Sequence, residues 1–153
     1  MALVNTVQRG SIFGKNQVIS NYIQATTVDT TDPATGPAID NRDSRISAIY
    51  GHVVVQDNTA GSSPTVTLTL QGSNDGSNWF TLKDTGGNAI STSALSISGC
   101  DDTAANYVVG FLNTVEEGVT SFPQFVRFIV DLGGTSSPNW KGAVHVTVRR
   151  GNA

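Results

Sequence analysis

Residues 65–70 alternate strictly, with Val66, Leu68 and Leu70 on one phase and Thr65, Thr67 and Thr69 on the other. That period of two is the signature of a half-buried strand. The same phase recurs over 143–149 (AVHVTVR), which puts Val144, Val146 and Val148 inward and His145, Thr147 and Arg149 outward. Residues 45–56 (RISAIYGHVVVQ) combine Ile46, Ile49, Tyr50 and the run Val53, Val54, Val55. Their apolar density predicts a central strand, with Gly51 marking a bulge or bend. Residues 125–132 (FVRFIVDL) are rich in β-branched and aromatic side chains and predict another strand.

Weaker patterns fill the intervals. Over 18–28, polar residues interrupt Val18, Ile19, Tyr22, Ile23 and Ala25 before Thr26, Thr27 and Val28, which predicts an edge strand. Residues 29–43 (DTTDPATGPAIDNRD) hold Pro33, Gly36 and Pro37 among aspartates and read as a ladder-breaking surface loop. The stretch 73–78 (SNDGSN) is a turn between 65–70 and a short returning strand at 79–82 (WFTL), so the two form a hairpin with a loop longer than two residues. Ala94, Leu95 and Ile97 suggest a further short strand. Residues 102–117 point both ways: Val108, Phe111, Leu112 and Val115 have helical spacing behind an Asp cap, while Tyr107, Val108 and Val109 favour a strand. Residues 1–17 read as an extended arm in which Gly10 and Gly14 flank Ser11, Ile12 and Phe13. About seven or eight short strands with at most one short helix imply an all-β fold, an antiparallel β-sandwich or jelly roll, in a single domain over 18–150.

Composition narrows the function classes. The chain has 153 residues, one domain's worth, and only 14% of them are charged. Thr, Ser, Gly and Asn supply an uncharged polar exterior instead. A net charge of −3 and a pI near 5.1 provide no field for nucleic acid or an anionic membrane. Neither an export leader nor a membrane span is legible in the sequence, so the chain is expected to be made and kept in the cytoplasm until it assembles. A lone Cys100 cannot close an intrachain disulfide, and with only two histidines a zinc cage would need carboxylates.

No reactive constellation is expected. His52 and His145 are the only natural bases near neutrality, both on strands, and no hydrolase, phosphate-loop or metalloprotease motif accompanies them. The acid pairs Asp101-Asp102 and Glu116-Glu117 are adjacent in sequence, so on a strand they would point to opposite faces. Asp75 with Asn74 and Asn78 offers oxygen ligands, but the spacing fails the calcium-loop register and fits an Asx-stabilised turn. Acidic neighbours would raise the Cys100 thiol and leave it inert. Arg149-Arg150 with Trp79 and Trp140 do not make a nucleic-acid stripe. No catalytic residue, metal or cofactor is therefore assigned.

The block TVTLTLQGSNDGSNWFTLKD at 65–84, with FVRFIVDLGG at 125–134 and AVHVTVRR at 143–150, resembles small β-rich virion proteins of tailed bacteriophages. The motif S-x-D-G-x-x-W at 73–79, followed later by Arg127-Phe128-Ile129, is also similar to discoidin-like carbohydrate-binding domains. In both, Leu70 and Trp79 would pack across the hairpin while Asp75-Gly76 turns it. The phage resemblance implies a non-enzymatic head decoration (cement) protein that binds the major capsid protein on the virion surface and forms a homo-oligomer, by resemblance a trimer, with a tail or neck protein as the neighbouring possibility. Leu3, Val4, Ile12 and Phe13 of the arm are the expected partner contacts, and the 29–43 loop is a second candidate surface. The carbohydrate-binding resemblance would instead make Trp140, beside Pro138, an exposed glycan-contacting residue.

Overall fold

The computed structural model describes residues 15–119 and 121–151. In chain order its strands are β1 (Lys15–Asp29), β2 (Ala34–Thr35), β3 (Ile39–Asp40), β4 (Ile46–Asp57) and β5 (Ser62–Ser73). They are followed by β6 (Phe80–Thr81), β7 (Leu95–Ser96), β8 (Val108–Asn113), β9 (Phe125–Thr135) and β10 (Trp140–Arg150). One sheet has the order β1-β10-β4-β8, and the other is built on β9 and β5 with the short strands β2, β3, β6 and β7 along its margins. All pairings are antiparallel. The fold is an all-β sandwich, with more segments than expected because four of them are only two residues long.

Alternation fixes which phase each strand buries. Ile49, Val53 and Val55 of β4 and Val144, Val146 and Val148 of β10 meet Val66, Leu68 and Leu70 of β5 and Val126, Phe128 and Val130 of β9 in one core. Each such side chain contributes roughly 1.5–3 kcal/mol on burial, set against the conformational entropy lost in ordering the chain.

Gly51 is not a bulge. The β4–β10 and β4–β8 registers run through it without a shift, and the missing side chain makes room for Phe128 from the facing sheet. The shifts in β10 lie instead at Lys141/Gly142 and Arg149/Arg150.

Residues 102–117 resolve into a 3₁₀ turn at Ala104–Asn106 and the strand β8, with no α-helix. The edge of β4 offered six backbone partners from Tyr50 to Val55, which outweighs a helical spacing that no facing surface used. The 29–43 segment is more ordered than a ladder-breaking loop. Ala34 and Thr35 pair with Val130 and Ile129, and Ile39 and Asp40 pair with Val126 and Phe125, so the segment covers the margin of β9. Lys15, Asn16 and Gln17, expected within the arm, continue β1 opposite Arg150, Arg149 and Val148 because β10 extends that far. Leu3, Val4, Ile12 and Phe13 lie outside the described residues.

In the β5–β6 hairpin Gln71 faces Thr81 and Gly72 faces Phe80, so the main-chain N–H of Leu82 donates to the carbonyl of Leu70. Trp79 therefore does not sit across from Leu70. It lies half-buried on the outer side of the second sheet, with the Arg127 guanidinium 4.1 Å from its ring centroid.

Candidate functional site

The outward phase of the first sheet gathers residues from strands far apart in sequence. Register aligns Phe111 of β8, His52 of β4 and His145 of β10 in one row. The adjoining rows are Asn113, Tyr50, Thr147 and Val18, then Val109, Val54, Ala143 and Gln24. Phe111 is the hub. Its ring is parallel to Tyr50, 3° between planes with centroids 6.4 Å apart, and His52 tilts over it at 4.4 Å. Phe111 is 47% exposed, Val109 58% and Val18 68%, so this face carries apolar side chains at the surface on β1 and β8. The central outer positions of the second sheet, Thr65, Thr67, Thr69 and Gln71 of β5, are polar.

His145 faces outward as its alternation predicts, and His52, whose phase the sequence left open at Gly51, lies beside it on the same face. His145 accepts through Nδ1 a hydrogen bond of 3.1 Å from the backbone N–H of Asn21, and His52 packs on Phe111. Beside His145 a depression of about 310 Å³ is lined by Gln24, Ala25, Gln56, Lys141, Gly142 and Ala143 among others. Lys141 holds Asp102 at 2.8 Å.

The remaining candidates have structural occupations. Asp75 Oδ1 accepts from Ser77 N and Asn78 N at 2.8 Å each and from Ser73 Oγ at 3.0 Å, while Oδ2 accepts from Asn78 Nδ2 at 2.6 Å. These bonds, those from the Asn78 and Ser77 backbone first, hold its carboxyl far below the usual carboxylate range. Asp75 thus closes its own turn, beside a depression of about 250 Å³ where Asn74, Asn78 and the 46%-exposed Phe80 meet. Asp101 accepts from Asn106 Nδ2 and Thr103 N at 2.9 and 3.1 Å, so it and Asp102 serve different partners. Cys100 is buried, with its Sγ donating to the Val55 carbonyl. Burial pushes its thiol up, with the Asp57 and Asp101 charges adding less. Among the described residues no group of three or more His, Cys, Asp or Glu side chains is placed to hold a metal ion.

Trp140 is not an exposed aromatic. It is fully buried at the start of β10, in the same core as Val55 and Val144, because the strand begins at Trp140 and its first inward position receives the indole. The exposed aromatics that sequence reasoning missed are Phe111 and Phe80. The alternation that exposes Phe111 was masked by Gly110, which occupies an inward position without an apolar side chain.

No helix among the described residues is long and apolar enough to cross a membrane. No protein-family model and no curated protein matches the sequence. Among known structures, the chain is similar to the infectious bursal disease virus VP2 subviral particle, with 14% identity and a TM-score of 0.47 over 90% of this chain and 33% of that one. It is also similar to the EclA C-terminal domain, a sugar-binding protein, with 10% identity and a TM-score of 0.38 over 96% of this chain and 79% of that one. A third is the CBM22-1 xylan-binding domain of Paenibacillus barcinonensis Xyn10C, with 13% identity and a TM-score of 0.32 over 92% and 97% of the two chains. The chain spans about a third of the length of the virus chains it matches.

Proposed function

We propose that this protein is a non-enzymatic structural component of a tailed-phage virion, a head decoration protein that seats on the assembled major capsid protein and self-associates on the capsid surface. The observation that carries this reading is the outward band of Tyr50, His52, Val109 and Phe111 on the first sheet. Apolar side chains clustered on one face gain about 25 cal/mol per Å² when a partner covers them. Such a protein acts mechanically: bridging neighbouring shell subunits adds buried area that opposes the outward pressure of packaged DNA, and several weak contacts act together through effective concentration. No cofactor, nucleic acid or membrane enters the mechanism. A tail or neck location would use the same face.

A second reading, a carbohydrate-binding module, is favoured by one feature, the exposed Phe80 beside Asn74 and Asn78. An aromatic face with neighbouring amides suits a sugar ring and its hydroxyls.

The deciding experiment is to purify intact particles and measure the copy number of this protein relative to the shell protein. Occupancy on heads in fixed proportion is expected, reduced by Phe111→Ser. Absence from purified particles, or occupancy indifferent to Phe111→Ser and Val109→Ser, overturns the reading. Glycan-array binding lost in Phe80→Ala would establish the second one.

A further inference from the structure

We infer that Arg127, held flat against Trp79 on the outer side of the second sheet, anchors a second docking face and takes a carboxylate side chain of a protein partner on its two Nη groups. The inference deepens the reading above and rests on it for the partner, a neighbouring protein of the shell. A protein that bridges subunits needs contacts on two sides, and this face is turned away from the outward band of the first sheet.

Three strands position the guanidinium. Register puts Arg127 of β9, Gln71 of β5 and Thr81 of β6 in one outward row. Trp79, two residues before Thr81, shares that phase, and its ring centroid lies 4.1 Å from Arg127 Cζ. Arg127 Nε donates to Gln71 Oε1 at 2.9 Å. The planar group is therefore fixed by a ring on its face and an amide at its Nε edge, so little rotamer freedom is left to lose when a ligand arrives. Among the described residues Nη1 and Nη2 have no acceptor.

The charge of Arg127 is uncompensated. Arg42 and Arg150 pair with Asp40 and Asp43, whereas Arg127 forms no ion pair among the described residues. Asp131, on the same phase of β9, is four residues on, about 13 Å along the strand, and accepts from Thr69 instead. Asp75, in the turn before Trp79, is taken up by Ser73, Ser77 and Asn78. Arg127 and Trp79 are both half-buried. A guanidinium partly withdrawn from water with no counter-ion is a standing cost, which an arriving carboxylate relieves through two parallel charge-assisted hydrogen bonds.

Charge complementarity selects the occupant. One free cation balances one carboxylate, while a phosphate near its second ionisation would keep an excess of negative charge. Arg127 lines neither depression described above, and its row belongs to a strand surface with Thr67 and Thr69 alongside. Such a surface suits another protein better than a small free acid, which needs enclosure. Trp and Arg are also the residues on which protein interfaces concentrate their binding energy.

The first arm of the test uses the unaltered full-length protein, so no folding defect can enter it. The Arg127 Nε–H and Trp79 Nε1–H signals are followed by NMR during addition of a hexaglutamate peptide, a hexaglutamine peptide and an oligogalacturonate. Hexaglutamate is expected to shift both signals at lower concentration than oligogalacturonate does, and hexaglutamine to leave them in place. Signals indifferent to hexaglutamate, or moved equally by hexaglutamine, overturn the anchor, and a response to oligogalacturonate as strong or stronger overturns the protein partner in favour of an acidic glycan. In the second arm, Arg127→Gln is expected to weaken seating on purified heads at least about tenfold, and Arg127→Lys, which keeps the charge and loses the fork, by less. Absence of the protein from particles with the hexaglutamate shift intact would remove the functional reading and keep the anchor, and wild-type seating of Arg127→Gln would do the reverse.

Discussion

Gly51 of β4 lies beneath the ring of Phe128 of β9: a Cβ at Gly51 would come within 2.9 Å of Phe128 Cζ and 3.0 Å of Leu68 Cδ2. The two sheets approach here by the depth of one missing methyl group. Gly51→Ala is expected to cost about 1–3 kcal/mol through overpacking. Phe128→Leu introduced into Gly51→Ala should cost less than Phe128→Leu alone, because each change relieves the other. Urea denaturation of the four proteins in a double-mutant cycle measures that coupling. Additive losses would show that the contact is not what excludes a side chain at Gly51.

Asn41 holds the end of the loop after β3 to the segment entering β9. Its Oδ1 accepts from Ile46 N at 2.9 Å, and its Nδ2 donates to the carbonyls of Phe122 and Pro123 at 3.2 and 3.0 Å. The residue is buried, so Asn41→Ala strands those backbone groups away from water and is expected to cost about 2–3 kcal/mol. Asn41→Asp should be worse, since it keeps the acceptor but turns a carboxylate toward two carbonyl oxygens. Thermal unfolding of both variants ranks them, and the reverse order would refute this account.

Asp131 of β9 titrates against the fold. Burial, and then the nearby Asp32 charge, raise its carboxyl above the ordinary value, and the hydrogen bond from Thr69 Oγ1 offsets only part of this. A carboxyl that binds its proton more tightly in the folded state than in the unfolded chain subtracts stability at neutral pH. That penalty shrinks as pH falls through the folded value and is gone below the unfolded one, about 3.9. Asp131→Asn is therefore expected to stabilise the protein at pH 7 by about 0.5 kcal/mol, a modest figure because the side chain is partly solvated. The gain should disappear near pH 4. Unfolding midpoints at both pH values check the sign.

Most of the long strands were legible because each separates two media. The alternations at 65–70 and 143–149 record a core on one side and water or the outer face on the other, and Val66, Leu68, Val144 and Val146 are buried as that phase requires. What was illegible depends on partners distant in sequence. Gly51 reads as a bend until Phe128 is seen above it. The phase of β8 is hidden because Gly110, whose Cβ would come 2.4 Å from Leu95 Cδ1, is an inward residue with no hydrophobic mark. The outward band joins His145, His52 and Phe111 only through the register of three strands. Pattern alone assigned His145 its face, left those of His52 and Phe111 open, and gave none of the three its neighbours.

Trp140 and Phe80 separate folding from sugar binding. Trp140 fills the core at the head of β10, so Trp140→Ala is expected to cost about 3–5 kcal/mol. Any ligand binding it abolishes would be lost with the fold. Phe80 is 46% exposed at the end of the hairpin, and Phe80→Ala should change stability by less than about 1 kcal/mol. Unfolding curves measured beside glycan binding show whether a loss belongs to the surface or to the core, and a Trp140→Ala protein of wild-type stability would contradict its placement.

The bulge in β1 is tied down by a side chain from the neighbouring strand. Asn21 adopts φ 52°, a left-handed conformation that asparagine tolerates better than β-branched residues. Its N–H, turned out of the β1–β10 ladder, is taken up by His145 Nδ1. His145→Ala removes that acceptor at a partly exposed site, so the global loss should be at most about 1 kcal/mol. The local effect should be larger than the global one, with exchange of the Asn21 amide accelerating while amides of Val144 and Val146 stay protected. His145→Gln, whose carbonyl can accept the same bond, should recover part of the protection, whereas Asn21→Val should destabilise even with His145 intact. Exchange at Asn21 unchanged in His145→Ala would mean that backbone geometry alone holds the bulge.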